Sequence, residues 1–154
     1  VLKMKNDYAS FKFEYKKMLN RLNLISFLGL IFILIFGEVF IDIIFGEEYL
    51  ESYVSMVILV SAIPFSIMAV TSTHWLISDN MQVVRLKRSI FSLLLNIILN
   101  MLFIPLWGIK GAAIATLISQ IYSGILGYLF MGKTKEIFSI HISTLIPFQR
   151  KPNV

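Results

Sequence analysis

Four runs of this sequence are almost free of charge, and each is about as long as a bilayer is thick: residues 24–45, 53–77, 89–107 and 111–131. A hydrocarbon core about 30 Å thick takes about 20 helical residues to cross. Lipid offers no partner to a backbone N–H or C=O, so runs of this kind must close their hydrogen bonds within themselves, as helices. The expected fold class is therefore an all-α membrane protein with four transmembrane helices. Composition agrees: 57% of the 154 residues are hydrophobic and only 15% charged, where a soluble domain has about half and a quarter. A cleaved signal peptide does not account for the first run, which is too long, lacks a small-residue cleavage site and is followed by three more. With no cysteine in the chain, disulfides and thiolate sites are excluded.

The charges fix an expected orientation. Lys3, Lys5, Lys12, Lys16, Lys17 and Arg21 precede the first run, Arg85, Lys87 and Arg88 sit between the second and third, and Lys133, Lys135, Arg150 and Lys151 follow the fourth. Four crossings put these thirteen of the fourteen basic residues on one side, with Lys110 alone on the other. Glu47, Glu48 and Glu51 lie on the opposite side. The positive-inside rule makes the basic side cytoplasmic. The expected location is thus the inner (cytoplasmic) membrane, multi-pass, with both termini cytoplasmic. The net charge of +5 is explained by topology, so no nucleic-acid partner is expected; that would need a basic patch on one folded face. Three regions follow: a cytoplasmic amphipathic segment over 1–23, the transmembrane region over 24–131, and a cytoplasmic tail over 132–154. Tyr8, Phe11, Tyr15, Met18 and Leu22 recur at helical spacing between lysines, which predicts a helix lying on the membrane surface. Residues 137–148 are apolar but too short to cross and are interrupted by Pro147; they are expected to be interfacial or poorly ordered.

Polar residues within the runs are the candidate sites. Asn96 and Asn100 are four apart and share a helix face with Ser92. An amide in hydrocarbon needs a partner. Packing against a neighbouring helix is the stronger reading, because one partner suffices; lining a wet cavity on a substrate path is the other. Gly111, Ala115, Ser119, Ser123 and Gly127 recur at every fourth position, a pattern that lets two helix backbones approach closely. It reads as a helix-packing device. Pro105 is expected to stop the third helix, with Gly108 and Gly111 allowing a tight reversal. Glu38 and Asp42 form an i, i+4 carboxylate pair in the outer half of the first run; Glu38 is the deeper, and a carboxylate within a span is a candidate for proton coupling. Pro64 lies mid-span in the second run, where a kink is expected. His74, beside Trp75, reads more readily as interfacial than as a proton relay. No nucleophile elbow, zinc-binding HExxH or phosphate-cradling glycine loop occurs, and His74 and His141 lack metal-ligand companions at useful spacing. No catalytic residue, metal or cofactor is expected, and the chain does not read as an enzyme.

Phe45-Gly46 with Tyr49 after one run, then Asn96, Asn100, Ile104-Pro105 and "GIKGAAIAT" from Gly108 to Thr116, resemble the C-terminal part of the O-antigen/polysaccharide flippases of the multidrug/oligosaccharidyl-lipid/polysaccharide exporter superfamily. The resemblance runs from about Lys12 to Met131. It implies a larger helical transporter bundle with two related halves around a cavity, working by alternating access. It implies translocation of undecaprenyl-pyrophosphate-linked oligosaccharide from the cytoplasmic to the periplasmic leaflet, for O-antigen, lipopolysaccharide, capsule or related polysaccharide biosynthesis. The implied partners are the lipid-linked oligosaccharide, membrane lipid and the N-terminal part of such a transporter. Four spans cannot enclose such a cavity, and the chain opens on Val1 rather than Met, so a fragment is expected. The alternatives are a cation-coupled multidrug exporter of the same superfamily, in which Glu38 is essential, and a non-transporting membrane scaffold or remnant.

Overall fold

A computed structural model describes residues 8–129 and 134–145. The chain is all-α, with no strand among the described residues. Its helices are α1 (Tyr8–Phe45), α2 (Ser52–Ser61), α3 (Ile63–Ser78), α4 (Gln82–Trp107), α5 (Ile109–Gly124) and α6 (Lys135–Leu145). Four helical stretches are long and apolar enough to cross a membrane: Tyr8–Phe45, Ser52–Ser78, Gln82–Trp107 and Ile109–Tyr128. The end of the bundle that bears Arg21, Arg85 and Lys87 is called the basic end below, and the end that bears Glu47, Glu48 and Glu51 the acidic end.

Each break has a local cause. Gly46, at φ +92°, ends α1 by accepting a conformation that side chains avoid. A short 3-10 turn over Glu47–Tyr49 follows. The second span divides at Ala62, just before Pro64; proline lacks the N–H that would carry the ladder through, so the helix is interrupted where a kink is expected. Pro105 does not stop α4 as expected. The helix runs through it to Trp107, since one missing N–H near a helix end frees only one carbonyl. Gly108, at φ +56°, makes the turn, and Gly111 belongs to α5 rather than to the reversal.

The two terminal segments are both helical. Residues 8–23 are the first part of α1 and run without a break into residues 24–45, so the amphipathic segment feeds the first span directly. At 1.5 Å per residue the 38 residues of α1 extend about 57 Å, well beyond a bilayer core. Their apolar face packs on protein: Phe11 and Tyr15 meet the Trp75 ring at 5.1 and 4.9 Å. The tail forms the ordered helix α6, whose Ile137, Ile140, His141 and Thr144 are buried. The end of the predicted fourth run, 130–131, and Pro147 lie outside the described residues, as do the basic residues Lys3, Lys5, Lys133, Arg150 and Lys151.

The core is concentrated at the basic end. Tyr15, Leu19, Met68, Trp75, Leu76, Ile125, Tyr128, Ile137 and Ile140 form one buried cluster, contributed by α1, α3, α6 and the turn after α5. Toward the acidic end the helices are apolar on their outer faces, with Ile31, Ile35, Val39 and Ile43 of α1 and Ile97, Ile98, Met101 and Leu102 of α4 exposed. In water that surface would be a liability, whereas in lipid it costs nothing.

Candidate functional site: a polar seam between two spans

The α4 sequence places Arg88, Ser92, Asn96 and Asn100 at i+4 intervals, hence along one face. α5 answers with its row of small residues. Ser92 Oγ donates to the Ser119 carbonyl at 3.0 Å. Asn96 Nδ2 donates to Ser119 Oγ at 3.0 Å, and Asn100 Nδ2 donates to the carbonyl of Asn96 at 2.9 Å and to its Oδ1 at 3.0 Å. At the acidic end of this seam, a Cβ on Gly111 would stand 2.2 Å from the Phe103 carbonyl oxygen, a contact only glycine permits. Ala115 and Ser119 are buried along it. Gly127 meets the Arg88 side chain, where a Cβ would lie 2.9 Å from Cγ. The every-fourth-residue row is thus the surface against which α4 lies. Gly124, one step off it, serves α3 instead: a Cβ there would be 2.4 Å from the Phe65 carbonyl oxygen.

Alongside the seam runs a groove of about 330 Å³ lined by Ser89, Ser92, Leu93, Asn96, Thr116, Ser119, Gln120 and Ser123. Seven of these eight side chains are polar, and none is charged. Packing and cavity, posed as alternatives for Asn96, are therefore both present: its amide cross-links two helices and also lines a polar surface. Asn100 lies beyond the groove, in a shallower apolar depression with Ile97, Met101, Ile104 and Pro105.

Arg88 closes the seam at the basic end. It is 2% exposed. Nη1 donates to Ser72 Oγ at 2.9 Å and to the Ser123 carbonyl at 3.2 Å, and Nη2 to the Ala69 carbonyl at 3.1 Å. The guanidinium lies 4.9 Å from the centre of the Tyr128 ring, a cation–π distance. Nε has no partner, and among the described residues no carboxylate pairs with the charge. Its rigid fork suits one job here, binding α3 and α5 to α4 through neutral oxygens. Ser72 is also hydrogen-bonded to the Tyr128 hydroxyl.

The same knot extends to α6. Tyr15 Oη lies 2.8 Å from His141 Nε2, and His141 Nδ1 lies 2.6 Å from the Gly124 carbonyl. The carbonyl can only accept, so Nδ1 carries the proton and the tyrosine hydroxyl donates to Nε2. Burial, with the Arg88 charge nearby, pushes the His141 pKa down to about 4, partly opposed by the bond to Gly124. Asn23 Nδ2 reaches Thr144 Oγ1 at 3.3 Å. Glu136 bonds Tyr8 and pairs with Lys12 at 2.6 Å.

The remaining predicted residues stand apart from this site. Glu38 is exposed on α1, as is Asp42, and neither enters the seam. His74 is exposed and edges a cleft of about 420 Å³ between α1 and α3 with Phe11, Tyr15, Met18 and Trp75. Arg88 and His141 were assigned by sequence to a basic loop and to a tail. The signal that could have found Arg88 was its i−4 position relative to Ser92; His141 had no local signal. Among the described residues no group of three or more His, Asp or Glu could hold a metal.

No family model matches the chain, and no solved structure matches it. It is similar to the capsular polysaccharide biosynthesis protein CapF of Staphylococcus aureus, with 30% identity over 131 residues. The match takes in 82% of this chain and 32% of the relative, so the chain spans about a third of that protein's length.

Proposed function

We propose that this chain is part of a polysaccharide or O-antigen flippase, translocating undecaprenyl-pyrophosphate-linked oligosaccharide from the cytoplasmic to the periplasmic leaflet by alternating access. In this reading it is not an enzyme, and it sits in the cytoplasmic (inner) membrane with both termini cytoplasmic. The observation that carries the reading is the uncharged polar groove on the α4–α5 pair, taken with the similarity to a capsular polysaccharide biosynthesis protein. A glycan head group cannot enter hydrocarbon unaided, because each bare hydroxyl forfeits its hydrogen bonds to water. A transporter must therefore present neutral donors and acceptors at membrane depth while the lipid tail stays in the bilayer. Seven polar side chains line one groove here, four of them held by bonds within the α4–α5 pair. The Arg88 fork and the small-residue row would let α3, α4 and α5 move as one body.

The test is restoration of surface polysaccharide in a host lacking its flippase, with the chain supplied together with the other parts of the transporter. Export must return with the wild-type chain. A Glu38→Gln substitution separates the cation-coupled alternative: glycan export that survives it argues against proton coupling through Glu38, which is exposed and outside the seam.

A further inference from the structure

We infer that the α4–α5 groove is a glycan-reading surface, selective for uncharged, hydroxyl- and acetamido-bearing sugars, with Gln120 as its principal free hydrogen-bonding side chain. This deepens the proposed function and rests on it. Several lining groups are already engaged. Ser92 and Asn96 donate to Ser119, Ser119 Oγ donates to the Thr116 carbonyl, and Thr116 Oγ1 to the Ala112 carbonyl. They form a fixed wall. Gln120, half-buried on α5, and Ser89, exposed on α4, make no hydrogen bond among the described residues. The Gln120 amide offers two donors and an acceptor, which matches vicinal sugar hydroxyls or an acetamido group. In hydrocarbon an unpaired amide of this kind would be costly, so the groove calls for a polar occupant.

The charge pattern narrows the class. No carboxylate lines the groove, so nothing there attracts a cationic drug. Arg88, beside it, is buried at 2% exposure with both terminal nitrogens bonded to neutral oxygens, so it is not presented to a phosphate. The groove is left with dipoles alone, and dipoles discriminate by hydrogen-bond pattern rather than by charge.

The chain has no cysteine, so single cysteines report without background. Leu93→Cys, which lines the groove and leaves Gln120 in place, and Ile97→Cys variants are treated in membranes with a water-soluble methanethiosulfonate reagent. The thiolate reacts only where water reaches it, so the position 93 variant is expected to react about tenfold faster or more than the position 97 variant, whose native side chain is exposed on the apolar face. N-acetylglucosamine trimer is expected to slow the reaction at position 93, inorganic pyrophosphate to leave it unchanged, and an added Gln120→Ala to abolish the protection by the trimer. Equal, slow labelling at both positions overturns the inference, since the groove is then filled by protein or lipid. Protection by pyrophosphate, or none by the trimer, overturns the selectivity. Because export is scored separately in the flippase-deficient host, a dry or unselective groove with export intact refutes this inference alone. Loss of export with a wet, sugar-protected groove refutes the transport reading instead.

Discussion

The two ends of the bundle are built on different principles. At the basic end a guanidinium, a histidine, two tyrosines and Ser72 are buried together, and α1, α3, α4, α5 and α6 are bonded to one another through them. At the acidic end the polar residues Glu38 and Asp42 are exposed, as are the large apolar residues of α1 and of the last turns of α4. There the helices meet mainly through shape, as at Gly111 against Phe103 and at Gly37 against Tyr53, with a hydroxyl bond from Tyr53 Oη to the Leu34 carbonyl at 3.1 Å between α1 and α2. Directional bonds to buried oxygens hold one arrangement and cost heavily when broken. Contacts between small residues hold helices by close fit and carry fewer such bonds. The basic end is the fixed end of this four-span unit, and the acidic end is cross-linked by fewer directional bonds.

The comparison breaks first at Arg88. Arg88→Ala removes three hydrogen bonds and leaves the Ser72, Ala69 and Ser123 oxygens without their donor, so a loss of about 3 kcal/mol or more is expected. Arg88→Lys should recover only part of it, because an ammonium cannot reproduce the planar fork. Thermal unfolding in detergent reads both. If the two variants matched wild type, the basic end would not be the fixed one. Gly111→Leu comes next: its Cβ would overlap the Phe103 carbonyl, so α4 must move away from α5, at a cost of about 1–3 kcal/mol. Gly29→Ala is the control, since nothing lies within 4 Å of a Cβ there, and it is expected to be neutral or stabilising by up to about 1 kcal/mol.

His141 sharpens the same contrast through pH. Its folded pKa, about 4, lies below the ordinary 6.5. As pH falls below 6.5 the unfolded or released ring takes a proton before the docked ring does. Docking of α6 is therefore at full strength above pH 6.5 and weakens down to about pH 4, by on the order of 3 kcal/mol at most. Hydrogen exchange of α6 measured between pH 7.5 and 4.5 should show this, and His141→Phe should flatten the profile while helices near the acidic end keep theirs. The smallest effect is expected at Asn96. Asn96→Leu removes the bond to Ser119 and the one its Oδ1 accepts from Asn100 and should cost about 0.6–2 kcal/mol, in the same unfolding assay.

Much of the candidate seam was legible beforehand. Asn96, Asn100 and the Gly111–Gly127 row were visible because helical periodicity is written in the order of residues, and the row faces α4 as a close-packing surface should. Arg88 was hidden by its setting: next to Arg85 and Lys87, a third basic residue reads as part of a solvated loop. The loop proved to be three residues long, Asp79–Met81, which draws Arg88 nearly two turns into α4. His141 was hidden because it acts through residues 17 and 126 positions away, a separation no local pattern encodes. Glu38 drew attention by chemistry alone, and the fold leaves it outside the seam.

Hydropathy and charge by themselves determined the number of crossings, the helical class and the separation of basic from acidic flanks. They could do so because a bilayer imposes one length and one hydrogen-bonding rule on every segment that enters it. Only the tertiary structure decided which polar residues meet: that the α4 amides face the small row of α5, that Arg88 is spent on neutral oxygens, and that the tail returns to cover the basic end. Those outcomes depend on where whole helices stand relative to one another, and partners distant in sequence leave no mark on the composition or period of either segment.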